Sequence, residues 1–116
     1  MTVTINGKNW IMDQLGSYIN YYQFGTAGSP RFTTPADTSL GSPILTKSIT
    51  DKDRSRSQNL IVWTVIPTTE ANGSVIAEVG LFNTSTGSGM FARSVMPDTE
   101  KNDLIEISFG YSITVI

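Results

Sequence analysis

The chain has 116 residues, with eight basic and ten acidic side chains and a net charge of −2. That length supports one domain with one core, and the weakly acidic balance argues against strong nucleic-acid binding. The absence of cysteine and histidine excludes a disulfide framework, thiolate metal sites, thiol catalysis and the commonest general base.

The N-terminal Met1-Thr-Val-Thr-Ile-Asn-Gly-Lys8 lacks a basic start followed by an apolar run, so no secretory signal is expected. No apolar stretch approaches the roughly 18 to 20 residues that span a bilayer, and no membrane partner is expected. Charged residues make up only 16% of the chain. The abundant Ser and Thr that replace them suit either a plain Thr-rich β-protein or one whose surface is covered by partners or packed in an array.

In chain order, Thr2–Ile5 alternates and reads as a short strand, and Asn6-Gly7 as a turn. Residues 8–15 are expected to form a short helix with Trp10, Ile11 and Leu15 on its inner face and Gly16 at its end. Residues 18–24 alternate again, with the aromatic density of a strand. Residues 25–43 are broken repeatedly by Gly and Pro and form a long irregular arm, longer than most structureless loops, with one helical turn expected over 35–40. Strands are expected over 44–50, 60–66, 75–82, 90–96 and 104–116. The last shows period two, with Ile105, Ile107, Phe109, Tyr111, Ile113 and Val115 on one face, and Gly110 marks a bulge or bend. Asn72-Gly73 is expected to join strands 60–66 and 75–82 as a hairpin. Residues 85–89 read as another turn, and 97–103 as a polar loop. The whole reads as a single domain over residues 1–116, an antiparallel β-sandwich of about seven strands with one short N-terminal helix.

Chemistry-bearing residues are few. Asp51 and Asp53 lie two apart, without a third carboxylate and among basic neighbours, and read as a solvated edge rather than a metal site. Glu78 sits on an apolar strand face, where a structural ion pair with Arg93 or Lys101 is expected. Serines abound, but none has a base. Lys8, Lys47, Lys52 and Lys101 lie in polar or turn-like settings, so a Ser–Lys pair is not expected. Gly25-Thr-Ala-Gly28 lacks the following Lys and the βαβ context of a phosphate loop. Asn72-Gly-Ser74 and Asn83-Thr-Ser85 match the glycosylation sequon by coincidence in a Ser/Thr-rich chain. The chain is therefore not expected to be an enzyme or to carry a cofactor or metal.

Tyr18, Tyr21, Tyr22, Phe24 and Phe32 form either a stacking platform for sugars or, the favoured reading, core on one face and protein interface on the other. Tyr21, Tyr22, Arg31, Phe32, Arg54 and Arg56 are the candidate interface residues, with Arg54-Ser-Arg56 as a protein–protein rim rather than a phosphate contact because Asp51 and Asp53 offset it.

Several blocks follow one another in the chain: Phe24-Gly-Thr-Ala-Gly28, Thr34-Pro-Ala-Asp-Thr-Ser-Leu40, Glu70-Ala-Asn-Gly73, Ile76-Ala-Glu-Val-Gly-Leu-Phe-Asn83, Ser88-Gly-Met-Phe-Ala-Arg93, Lys101, and Glu106-Ile-Ser-Phe-Gly-Tyr-Ser-Ile-Thr-Val115. From about Tyr18 onward this order resembles small virion structural proteins of tailed bacteriophages and related archaeal viruses, of the tail-fibre, tail-collar or baseplate-associated type. The resemblance implies a β-sandwich that assembles into a particle and catalyses nothing. It implies other virion proteins as partners, a homo-oligomer such as a trimer or six-fold ring, and a location in the virion after synthesis in a host cytoplasm. A capsid decoration protein and a glycan-binding module are the alternative expectations.

Overall fold

The computed structural model describes residues 1–26 and 32–116. Among these, one helix and seven strands form a mainly β protein of two antiparallel sheets. The helix α1 runs Ile5–Tyr18, followed by β1 (Tyr21–Gly25), β2 (Pro43–Ser48), β3 (Asp51–Asp53), β4 (Asn59–Ile66), β5 (Val75–Phe82), β6 (Met90–Glu100) and β7 (Ile107–Thr114). One sheet has the order β2-β1-β5-β6 and the other β3-β4-β7.

The N-terminus differs from its sequence pattern. Thr2–Ile5 forms no strand; instead the Thr4 hydroxyl accepts from the Gly7 amide and caps a helix that starts at Ile5. An N-cap threonine satisfies one of the orphan amides of the first turn, so Asn6-Gly7 becomes helix rather than turn. The helix also runs through Gly16 to Tyr18. Its buried face carries Met12 and, one and two turns on, Leu15 and Ile19. Trp10 and Ile11, expected inside, are exposed.

The core lies between the sheets. Tyr22 and Phe24 of β1, Leu60, Val62 and Ile66 of β4, and Ile76, Val79 and Leu81 of β5 are buried there. Alternate residues of β7, Ile107, Phe109, Tyr111 and Ile113, face them. Phe24 packs on Phe109 with ring centroids 4.8 Å apart and on Tyr22 at 5.7 Å. The Tyr22 hydroxyl donates to the Val62 carbonyl at 2.6 Å, joining the two layers; burial raises its pKa above the ordinary tyrosine value.

The Asn72-Gly73 hairpin does not form. β4 and β5 belong to different sheets, and the turn carries the chain from one layer to the other. It docks on Lys101: the Gly73 amide donates to the Lys101 carbonyl, and the Lys101 amide to the Ser74 carbonyl. The hairpin at 83–89 does form, between β5 and β6, with Gly87 and Gly89 at positive φ. β6 runs to Glu100, through most of the expected polar loop. Gly110 marks neither bulge nor bend, because β7 pairs with β4 in unbroken register. Its reason is the Trp63 ring, which lies across it: a Cβ there would stand 2.6 Å from Trp63 Cη2.

Candidate functional site

The buried charges serve the fold. Glu78, on β5, is 1% exposed. Its Oε1 accepts from the Gly41 amide and its Oε2 from the Ser42 amide, each at 2.8 Å, and Arg93 Nε on the neighbouring β6 approaches Oε1 at 3.2 Å. Arg93 also donates to the Phe32 carbonyl at 2.8 Å and to Asp37 Oδ2 at 3.2 Å. Glu78 and Arg93 thus clasp residues 32–42 across β5 and β6. Gly25 leaves the room this needs, since a Cβ there would meet Glu78 Oε2 at 2.6 Å. The Thr34 amide above all, then the Thr34 hydroxyl and Arg93, hold the Asp37 carboxyl below the usual aspartate range against the burial that opposes them.

Lys101 is not part of this clasp. It is fully buried, and its Nζ donates to Asn72 Oδ1 and to the Asn102 carbonyl, each at 2.8 Å. It ties the Asn72 side chain to the chain at Asn102 instead of pairing with Glu78.

The expected interface residues disperse. Tyr22 is fully buried, because β1 is an inner strand whose even-numbered residues face the core. The same geometry removes Phe24 from any stacking platform. Tyr21 is half-buried between β2 and β5, opposite Ser48 and Phe82. Phe32 is exposed. Arg31 lies outside the described residues. Arg54 is an internal brace rather than a rim: Nε meets Asp13 Oδ1 at 2.8 Å, and the two terminal nitrogens reach the carbonyls of Asn9, Arg56 and Asn59. It ties α1 to the loop before β4. Arg56 is exposed.

Asp53 is held by its own loop, its Oδ1 accepting from the Ser55 amide at 2.8 Å. Asp51 is exposed, and the described residues contain no cluster of acidic side chains able to hold a metal ion. No helix among them is long and apolar enough to cross a membrane.

The surface feature that stands out is apolar. A groove of about 540 Å³ runs between α1, the start of β6 and the end of β7. Ile11, Leu15 and Tyr18 line one wall, and Phe91, Ile113 and Val115 the other. Ile11, Tyr18 and Phe91 are each 42% exposed; Trp10, on the same helix but outside the groove's lining, is 62% exposed. A second hollow, about 340 Å³, is polar and lies against Arg93 and residues 36–41, the segment that the Glu78 clasp holds.

Sequence reasoning missed the groove. The signal was present in α1, which carries more apolar residues than one buried face needs: Met12, Leu15 and Ile19 fill the inner face, leaving Trp10 and Ile11 over. The chain matches no known protein family, and no characterised protein compared with it is significantly similar.

Proposed function

We propose that this protein is a non-enzymatic structural component that works by assembly, set in the tail, baseplate or fibre-attachment region of a tailed virus. The observation that carries the assembly reading is the concentration of large apolar side chains around one groove, with Ile11, Tyr18 and Phe91 all substantially exposed. Contiguous apolar surface of this kind on a small domain marks an interaction site. The viral setting rests on the ordered sequence blocks from Phe24 to Val115 and on a sandwich fold suited to a rigid building block. The clasp and the Arg54 brace support the same reading, because they spend the protein's charged groups on internal rigidity.

Gold-labelled antibody on purified virus particles, viewed by electron microscopy, tests it. Gold at the tail or its tip is the expected result. Gold scattered over the head would replace the tail role with capsid decoration. Particles without gold and without the protein would overturn the viral setting.

A further inference from the structure

The four outer edges of the two sheets are not alike. β3 is three residues long and consists of Asp51, Lys52 and Asp53. β2 opens with Pro43 and carries Lys47. β6 carries Arg93, Pro97, Asp98 and Glu100, and its pairing with β5 breaks register twice. Shortness, charge, proline and bulges are the devices that stop an edge strand from recruiting another chain. β7 has none of them. Its eight residues, Ile-Ser-Phe-Gly-Tyr-Ser-Ile-Thr, include no charge and no proline, and its ladder with β4 is regular throughout.

The open side of β7 can be read from its hydrogen bonding. The Val115 amide donates to the Gln58 carbonyl, one step beyond the Asn59–Thr114 pair. In an antiparallel ladder such bonded pairs alternate with non-bonded ones. The odd-numbered residues therefore direct their peptide groups at β4, and Ser108, Gly110, Ser112 and Thr114 direct theirs outward. No described strand pairs on that side. The core-facing row Ile107, Phe109, Tyr111 and Ile113 is only half-buried, whereas Leu60, Val62 and Ile66 on β4 are fully buried. The three-stranded layer is thus left with apolar surface uncovered at the β7 edge.

Resting on the assembly reading above, we infer that the occupant of this edge is β7 of a second copy, paired antiparallel about a two-fold axis through Gly110. The sequence of the strand selects its own copy. Outward from Gly110 in both directions it repeats its chemistry: Phe109 and Tyr111, Ser108 and Ser112, Ile107 and Ile113. Two-fold pairing sets Gly110 against Gly110, Ser108 against Ser112 and Ile107 against Ile113. The residues that exchange hydrogen bonds across the axis are the small ones, which suits the roughly 5.5 Å Cα separation of a bonded pair. The apolar rows meet on the core side, and the two three-stranded layers become one six-stranded sheet. The strand is neutral, so no like charges oppose its self-pairing, and an isologous two-fold contact is the commonest form of homo-oligomer.

Sedimentation of the full chain tests the inference together with three variants. The wild type is expected to dimerise. Ser108→Pro deletes an amide that the monomer leaves unbonded, so it is expected to keep the wild-type circular dichroism spectrum and weaken the dimer by about tenfold or more, since two symmetry-related bonds are lost. Cysteine variants then fix the register, because the natural chain contains no cysteine. An equimolar mixture of Ser108→Cys and Ser112→Cys is expected to give cross-linked dimers with a short thiol reagent. Either variant alone is not, because like positions then lie about 13 Å apart along the strands. A monomeric wild type, a folded Ser108→Pro that still dimerises fully, or single variants that cross-link as well as the mixture would each overturn the inference. If Ser108→Pro does not fold, the cysteine mixture decides. These readouts concern the free protein, so a monomer would overturn the self-pairing while the particle labelling decides the viral assembly reading separately.

Discussion

Burying a carboxylate costs several kcal/mol unless its oxygens are met, and Glu78 meets two amides and a guanidinium. Glu78→Ala is therefore expected to leave the Gly41 and Ser42 amides without their carboxylate and to take one partner from Arg93. The cost should be about 3 kcal/mol, the low end for a broken buried pair, because Arg93 keeps Asp37 and the Phe32 carbonyl; urea denaturation measures it. That Glu78 needed a cation was legible from its apolar strand face. The two amides from residues 41 and 42 were not, since they come from a segment 36 residues away with no pattern tying it to β5. Asp37 gives the clasp a pH dependence. Its folded pKa lies below the usual aspartate value, so its contribution is present above the unfolded pKa and is lost as pH falls through the folded one. Acid below the ordinary aspartate range is expected to loosen residues 32–42 before the sheets unfold, and Asp37→Asn to abolish that step. Limited proteolysis across an acid series reads it.

Long strands were the most legible elements. β7 lies within the segment whose two-residue period has no helical counterpart, and β4 and β5 fall where apolar, β-branched runs bounded by turn signals place them. Short-range turn chemistry misled where tertiary partners took over. Asn6-Gly7 entered the helix under the Thr4 cap, and Asn72-Gly73 crossed between layers because Lys101 supplies its hydrogen-bond partners. Gly110 needed its cross-strand neighbour to be understood, since register alone brings Trp63 over it. Gly110→Ala is expected to lose about 1–3 kcal/mol through overpacking against that ring. The loss should vanish in a Trp63→Ala background, which a double-mutant denaturation cycle would show. Among the charged residues, Arg54 braces α1 through Asp13 and Asn9. Arg54→Ala is expected to lower the melting temperature and Arg56→Ala to leave it within error, a contrast that thermal denaturation resolves.

At the scale of the whole molecule, the two layers have unequal defences. Charges, prolines and irregular pairing guard three edges, while the fourth is neutral, regular and bordered by the apolar groove. The residues of β7 were legible as a strand, but not as an edge, because strand order depends on contacts distant in the chain. Two of the expected interface residues took other places for the same reason: Tyr22 is buried in the core and Arg54 is engaged with α1, whereas Phe32 and Arg56 stay exposed. Amide hydrogen exchange along β7 tests most directly that this protein assembles through its unguarded edge. The account predicts that Ser108, Gly110 and Ser112 exchange slowly in the wild type, with protection that rises with protein concentration and, at Gly110 and Ser112, falls in Ser108→Pro. Phe109, Tyr111 and Ile113, bonded to β4, serve as the internal reference. Fast exchange at these three outward amides at every concentration, beside protected neighbours, would contradict it.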